Sequence, residues 1–148
     1  MEQTIMAASI IALSNLIHEA QKERGLSMLC IAAPSASNLA KFAIQHAETD
    51  EAWANVKPLI DNSFEPTIAR LDIAFQTIAD CRRQILNDSP DIETVMALYS
   101  GPLMSTSFEL LASLTGQVEP SESYKANALL NLHQWKAVSY THLRAHET

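Results

Sequence analysis

Apolar residues return every three or four positions along most of the chain. That is the spacing of an amphipathic helix, not the two-residue alternation of a strand. Met6, Ile10, Leu13, Ile17 and Ala20 form the first seam, which runs on through Arg24 and Ser27 to Ile31. Pro34 closes it, because the residue before a proline is pushed out of the α region. Pro34-Ser35-Ala36-Ser37-Asn38 reads as a turn with good N-cap residues. A second helix follows with Leu39, Phe42, Ala43, His46, Trp53 and Val56 inward, closed by Pro58 and Asp61-Asn62-Ser63. Glu65-Pro66 opens a third, with Ile68, Leu71, Phe75, Ile78, Arg82 and Ile85 on one face. Ser89 is expected to cap a fourth helix, with Pro90 in its first turn. Its inward positions are Ile92, Val95, Met96, Tyr99, Leu103, Thr106 and Leu110, and Gly101-Pro102 predicts a kink or break inside it. Thr115-Gly116 ends that helix, and Pro120-Ser121-Glu122 starts a fifth with Leu129, Leu132 and Trp135. The pattern predicts an all-α, up-down bundle of about five helices.

Composition narrows the class. A chain of 148 residues suits one core or a piece of a larger protein. With 47% hydrophobic and 18% charged residues it is too apolar for a disordered segment, and 3 glycines are too few for a many-turned sandwich. The net charge of −7 argues against direct binding of nucleic acid. Cys30 and Cys81 are isolated, which fits a reducing cytoplasm better than a disulfide framework. The longest apolar run, Met6 to Leu13, is broken by Ser9, falls short of the roughly 18 residues of a membrane span and follows no basic leader. A cytoplasmic protein with no membrane span in this segment is expected.

Two charges stand where the pattern asks for apolar residues. Arg24 lies one heptad after Ile17, and Arg82 lies between Ile78 and Ile85. A buried guanidinium without a partner costs several kcal/mol and cannot deprotonate. Each must therefore meet a carboxylate, reach water at the bundle end, or hold an anion. Gly25, directly after Arg24, admits a close helix approach or leaves room for a ligand, unless it is simply tolerated there. His18, His46 and His133 lack metal-ligand spacing and read as surface or hydrogen-bonded core residues. The carboxylates read as a scattered, solvated set. No nucleophile–base pair and no glycine-rich phosphate loop occurs, so no enzyme, metal or cofactor is expected.

The string Leu16-Ile17-His18-Glu19-Ala20-Gln21-Lys22-Glu23-Arg24-Gly25-Leu26-Ser27 resembles the opening helix of the nitrate- and nitrite-sensing (NIT) domain, with its Gln, basic residue and Glu-Arg-Gly. Glu48-Thr49-Asp50-Glu51-Ala52, Ile78-Ala79-Asp80-Cys81-Arg82, Val95 to Ser100 and Leu129 to Lys136 are similar to later family segments in the same order. The resemblance spans residues 8–136 and breaks off where a further Glu-Arg motif should begin. It implies a helical sensor that binds nitrate or nitrite through buried arginines and relays occupancy to a C-terminal output module for antitermination or signal transduction. Arg24 and Arg82 are the anion-binding residues it implies, and a homodimer is compatible with it. The competing reading is a ligand-free helical interaction or dimerisation module whose arginines pair internally.

Residues 137–148, AVSYTHLRAHET, resemble translated sequencing-adapter read-through. Residues 1–136 are thus expected to be part of the sensor domain, with the natural chain continuing past Lys136. His142 and His146, at i and i+4, are set aside with the tail. Removing residues 137–148 is expected to leave thermal stability unchanged or slightly higher. A calorimetric loss above about 1 kcal/mol would show that the tail packs.

Overall fold

The computed structural model describes residues 3–60, 62–88 and 90–116. The helices are α1 (Gln3–Ala32), α2 (Ala36–Val56), α3 (Glu65–Asn87), α4 (Ile92–Leu98) and α5 (Thr106–Thr115). A π-helical segment, Tyr99–Ser105, joins α4 to α5, so residues 92–115 form one continuous fourth helix. Among the described residues there are four helices and no strand. The expected fifth helix, residues 120–136, lies outside them, as do Ser89 and the tail.

α1 is the axis of the packing. Its 30 residues span about 45 Å, and it contacts α2, α3, α4, the π segment and α5. A helix enclosed on so many sides buries a wide arc. Leu13, Leu16 and Ile17 are fully buried, and so are the polar Ser9, Glu23 and Ser27. The remaining helices close the core with Phe42, Val56, Leu71, Ile78, Tyr99, Leu103, Leu110 and Leu114. α2 and α3 meet where the Trp53 and Phe75 rings stack, 5.2 Å apart and 10° from parallel. Beside them Lys57 Nζ pairs with Asp72 at 2.8 Å and sits 5.6 Å above the Trp53 ring.

Local chemistry sets the helix ends. Ser35 caps α2 by accepting the Asn38 amide at 3.0 Å, while the Asn38 side chain donates back to the Ala33 carbonyl at 2.8 Å. Two single-turn 3-10 segments, Lys57–Leu59 and Asn62–Phe64, lead from α2 into α3. Ser9 donates to the Leu59 carbonyl at 3.1 Å and so fastens this connection to α1. Glu65-Pro66 opens α3 as expected. The cap of α4 is Asp91, whose carboxylate accepts both the amide and the hydroxyl of Thr94 at 3.0 Å; Pro90 precedes the cap and is not in the first turn.

At Gly101-Pro102 the helix widens instead of breaking. Proline cannot donate to an α ladder, and the longer π turn carries the chain past it. Ser105 Oγ donates to the Ser100 carbonyl at 3.0 Å inside this segment. Two expected inward residues face out: Ala43 is exposed and Met96 is 38% exposed. On α2 the burial turns instead toward Gln45 and Thr49, which bond to α1. No helix among the described residues is long and apolar enough to cross a membrane.

Beyond its chain neighbours and the backbone of its own helix, a methyl group at Gly101 would meet nothing within 4 Å. The clash that does arise is with the ring of Pro102, which disfavours helical angles at a preceding residue that carries a Cβ. Gly101→Ala is therefore expected to destabilise the protein by about 0.5–1 kcal/mol. Urea denaturation measures it, and a gain in stability would show that the π segment relieves that clash.

Candidate functional site

The deepest polar group is a carboxylate. Glu23, on α1, has no exposed surface. Its position, one heptad after Leu16, three after Ala20 and four before Ser27, puts it on the buried face of the helix. Arg82, on α3, reaches it with a two-pronged fork: Nη2 donates to Oε1 at 2.7 Å and Nε to Oε2 at 3.0 Å. The Tyr99 hydroxyl, from the start of the π segment, donates to the same Oε2. Arg82 Nη1 turns outward and donates to Asp50 on α2, at 2.9 and 3.1 Å to its two oxygens. One cluster thus takes a residue from each of the four helices.

Charge and burial act together here. Burial opposes the Arg82 cation, but the bonds and charges of Glu23 and Asp50 outweigh it and raise its pKa. Burial, and after it the Glu23 charge and hydrogen bond, push the Tyr99 hydroxyl well above 10. Tyr99 is therefore a neutral donor at any physiological pH. His46, edge-on to Phe42 at 4.1 Å, is half-buried and its Nε2 has no hydrogen-bond partner. It is neither the surface histidine nor the satisfied core histidine expected. Burial lowers its pKa below 6.5, with Arg82 assisting and Glu23 and Asp50 opposing.

Arg24 occupies the next rung. Glu23 meets Tyr99, and one residue on in both helices Arg24 Nη1 donates to Ser100 Oγ at 3.0 Å. Arg24 is half-buried, and Gly25 beside it is buried. The two arginines named from the sequence thus approach the same stretch of the interface between α1 and the fourth helix, in different states. The Arg82 fork is committed to two carboxylates, the internal pairing that was the competing expectation. Arg24 Nη1 is satisfied by a hydroxyl of the fourth helix.

The sequence reading missed Glu23, treating the acidic residues as a solvated set and giving the charged seam position to Arg24. The signal was present, since Glu23 shares the heptad of Leu16. Asp50 and Ser100 lay within the family-like segments Glu48 to Ala52 and Val95 to Ser100, but periodicity gave neither a partner, because an exposed carboxylate and a hydroxyl fit the surface pattern equally well. Behind the cluster, Gln45 Nε2 donates to the Glu19 carboxylate at 2.6 Å, and Lys22 bridges Glu19 and Glu48 at 3.1 and 3.8 Å. Among the described residues no group of three or more His, Cys, Asp or Glu side chains is placed to hold a metal ion.

Removing the Arg82 head leaves the Glu23 carboxyl buried without its fork. Arg82→Ala is expected to cost about 3–5 kcal/mol in urea denaturation at pH 7. Asp50→Ala, which removes a carboxylate that is 56% exposed, is expected to cost no more than about 1 kcal/mol. Equal costs would contradict the assignment of Glu23 as the principal partner.

No curated protein and no solved structure matches this chain. The family described as nitrate and nitrite sensing, a sensory and not an enzymatic family, matches residues 15–137, a span that contains Glu23, Arg24, Asp50, Arg82, Tyr99 and Ser100. A match over most of its length places the chain in the nitrate- and nitrite-sensing (NIT) family.

Proposed function

We propose that this chain is the ligand-reading part of a cytoplasmic regulator, that Arg24 contacts nitrate or nitrite, and that occupancy is relayed through the fourth helix to an output module. The observation that carries the reading is the place of Arg24: a half-buried guanidinium on the inward seam of α1, within the Glu-Arg-Gly string, that reaches the fourth helix at Ser100. Nitrate is planar and weakly hydrated, and a guanidinium fork offers it two parallel hydrogen bonds where lysine offers a point charge. Four heavy atoms at a best-case ~1.5 kcal/mol each limit affinity to a Kd of tens of micromolar, a range suited to a nutrient ion. The unbridged, buried thiols of Cys30 and Cys81 suit a reducing compartment.

Arg82 enters this reading through Glu23. By fixing that carboxylate it holds the α1 turn that carries Arg24, and its charge offsets the Glu23 carboxylate that stands beside Arg24. The relay has a physical basis in the π segment. Ser100 lies within it, so an anion competing for the Arg24 fork changes a contact made to a stretch of non-α backbone, the kind of element that has an alternative register. The second reading, a ligand-free interaction module, is favoured by one observation, the carboxylate pairing of Arg82.

Titration calorimetry of nitrate and nitrite into the protein distinguishes the two. Arg24→Lys keeps the charge and loses the fork, so affinity for both anions is expected to fall about tenfold or more. Arg24→Ala is expected to abolish binding of both anions. Unchanged affinity in Arg24→Ala together with a stability loss of about 3–5 kcal/mol would overturn the sensor reading in favour of the internally paired module.

A further inference from the structure

Two glutamines are buried, Gln21 on α1 and Gln45 on α2, and they differ in kind. Gln45, 5% exposed, is fully engaged: its Nε2 donates to the Glu19 carboxylate and carbonyl and to Thr49 Oγ1. Gln21, 3% exposed, is not. Its Nε2 is buried and has no hydrogen-bond partner. A buried amide donor left unmade is destabilising, and native interiors keep few such groups. Gln21 also stands one turn before Arg24 on α1. Side chains at i and i+3 are neighbours on a helix surface, and both lean toward its N-terminus. Gly25, buried and without a side chain, completes that turn.

We propose that the Gln21 side-chain amide is a second anion contact beside Arg24, and that it makes the site prefer nitrate to nitrite. The proposal rests on the reading of Arg24 as the anion's principal partner. A guanidinium fork engages two oxygens along one edge of either ion. Nitrate then has a third oxygen left over, and nitrite has none. A neutral donor one turn away on the same helix is satisfied by that third oxygen alone. With nitrite in the fork the Gln21 N–H remains without a partner, the situation in which a buried polar group discriminates between ligands. The carbonyl half of the side chain adds no charge, so the amide tunes selectivity without altering the electrostatics that Arg24 supplies.

The test is a set of titrations of the wild-type protein, Gln21→Met and Arg24→Lys with nitrate and with nitrite. Methionine keeps the length and volume of glutamine and removes its donor. The wild type is expected to bind nitrate about tenfold more tightly than nitrite, the order expected of one neutral hydrogen bond. Gln21→Met is expected to lose that preference, its nitrate affinity falling about tenfold and its nitrite affinity unchanged. Arg24→Lys is expected to weaken both ions. A Gln21→Met protein that keeps the wild-type ratio overturns the proposal, and if Arg24→Lys still loses both ions the sensor reading stands without it. No binding of either ion by the wild type overturns the sensor reading and the Gln21 proposal together. Thermal unfolding without anion gives an independent check. Replacing an unpartnered donor by an apolar isostere is expected to leave the melting temperature unchanged or raised, and a clear fall would show that the amide already has a partner.

Discussion

A carboxylate with no access to water sits near the middle of the longest helix, and the arrangement of the other helices follows from it. Glu23 keeps its charge in the interior only if donors come to it. The Arg82 fork and the Tyr99 hydroxyl do so from α3 and from the fourth helix, and the outer edge of the Arg82 fork brings in Asp50 from α2. Apolar seams alone let helices slide or rotate by a turn at little cost. A bidentate ion pair does not, because a one-residue slip would leave both charges buried and unpaired. The cluster thus contributes more to fixing register than to net stability, since a well-packed apolar replacement of similar volume would be comparable in energy.

That register determines what lies next to the cluster. Once Tyr99 is bound to Glu23, the following residues, Ser100 and Arg24, are brought together as well. The π segment matters at this point. An unbroken α ladder cannot accommodate Pro102, and the wider turn keeps the helix continuous while Tyr99 and Ser100 both face α1. The ion-pair cluster and the Arg24 contact are therefore adjacent: a buried carboxylate–guanidinium pair that organises the helices and, one residue further on, a second guanidinium that donates to a hydroxyl of the fourth helix. Both lie within the span that matches the nitrate- and nitrite-sensing family.

Much of this was legible in the chain itself. Helical periodicity, the prolines at positions 34 and 66 and the cap-rich turn at Ser35 determined the helices and their order, because these are local effects that act within one turn of the residue concerned. The charges at Arg24 and Arg82 marked where polar contacts cross between helices, since a charge on an apolar seam always demands a partner. Tertiary structure alone decided which partner. Arg82 to Glu23 and Asp50, Arg24 to Ser100, the rotation of α2 that buries Gln45 in place of Ala43, and the unpartnered amide of Gln21 all join or separate residues about 26 to 76 positions apart, or depend on a neighbour that never comes. Periodicity states that a face is buried and says nothing of what meets it. The partner is set by how far each helix is turned about its axis, and that angle is fixed only when all four helices close around one carboxylate.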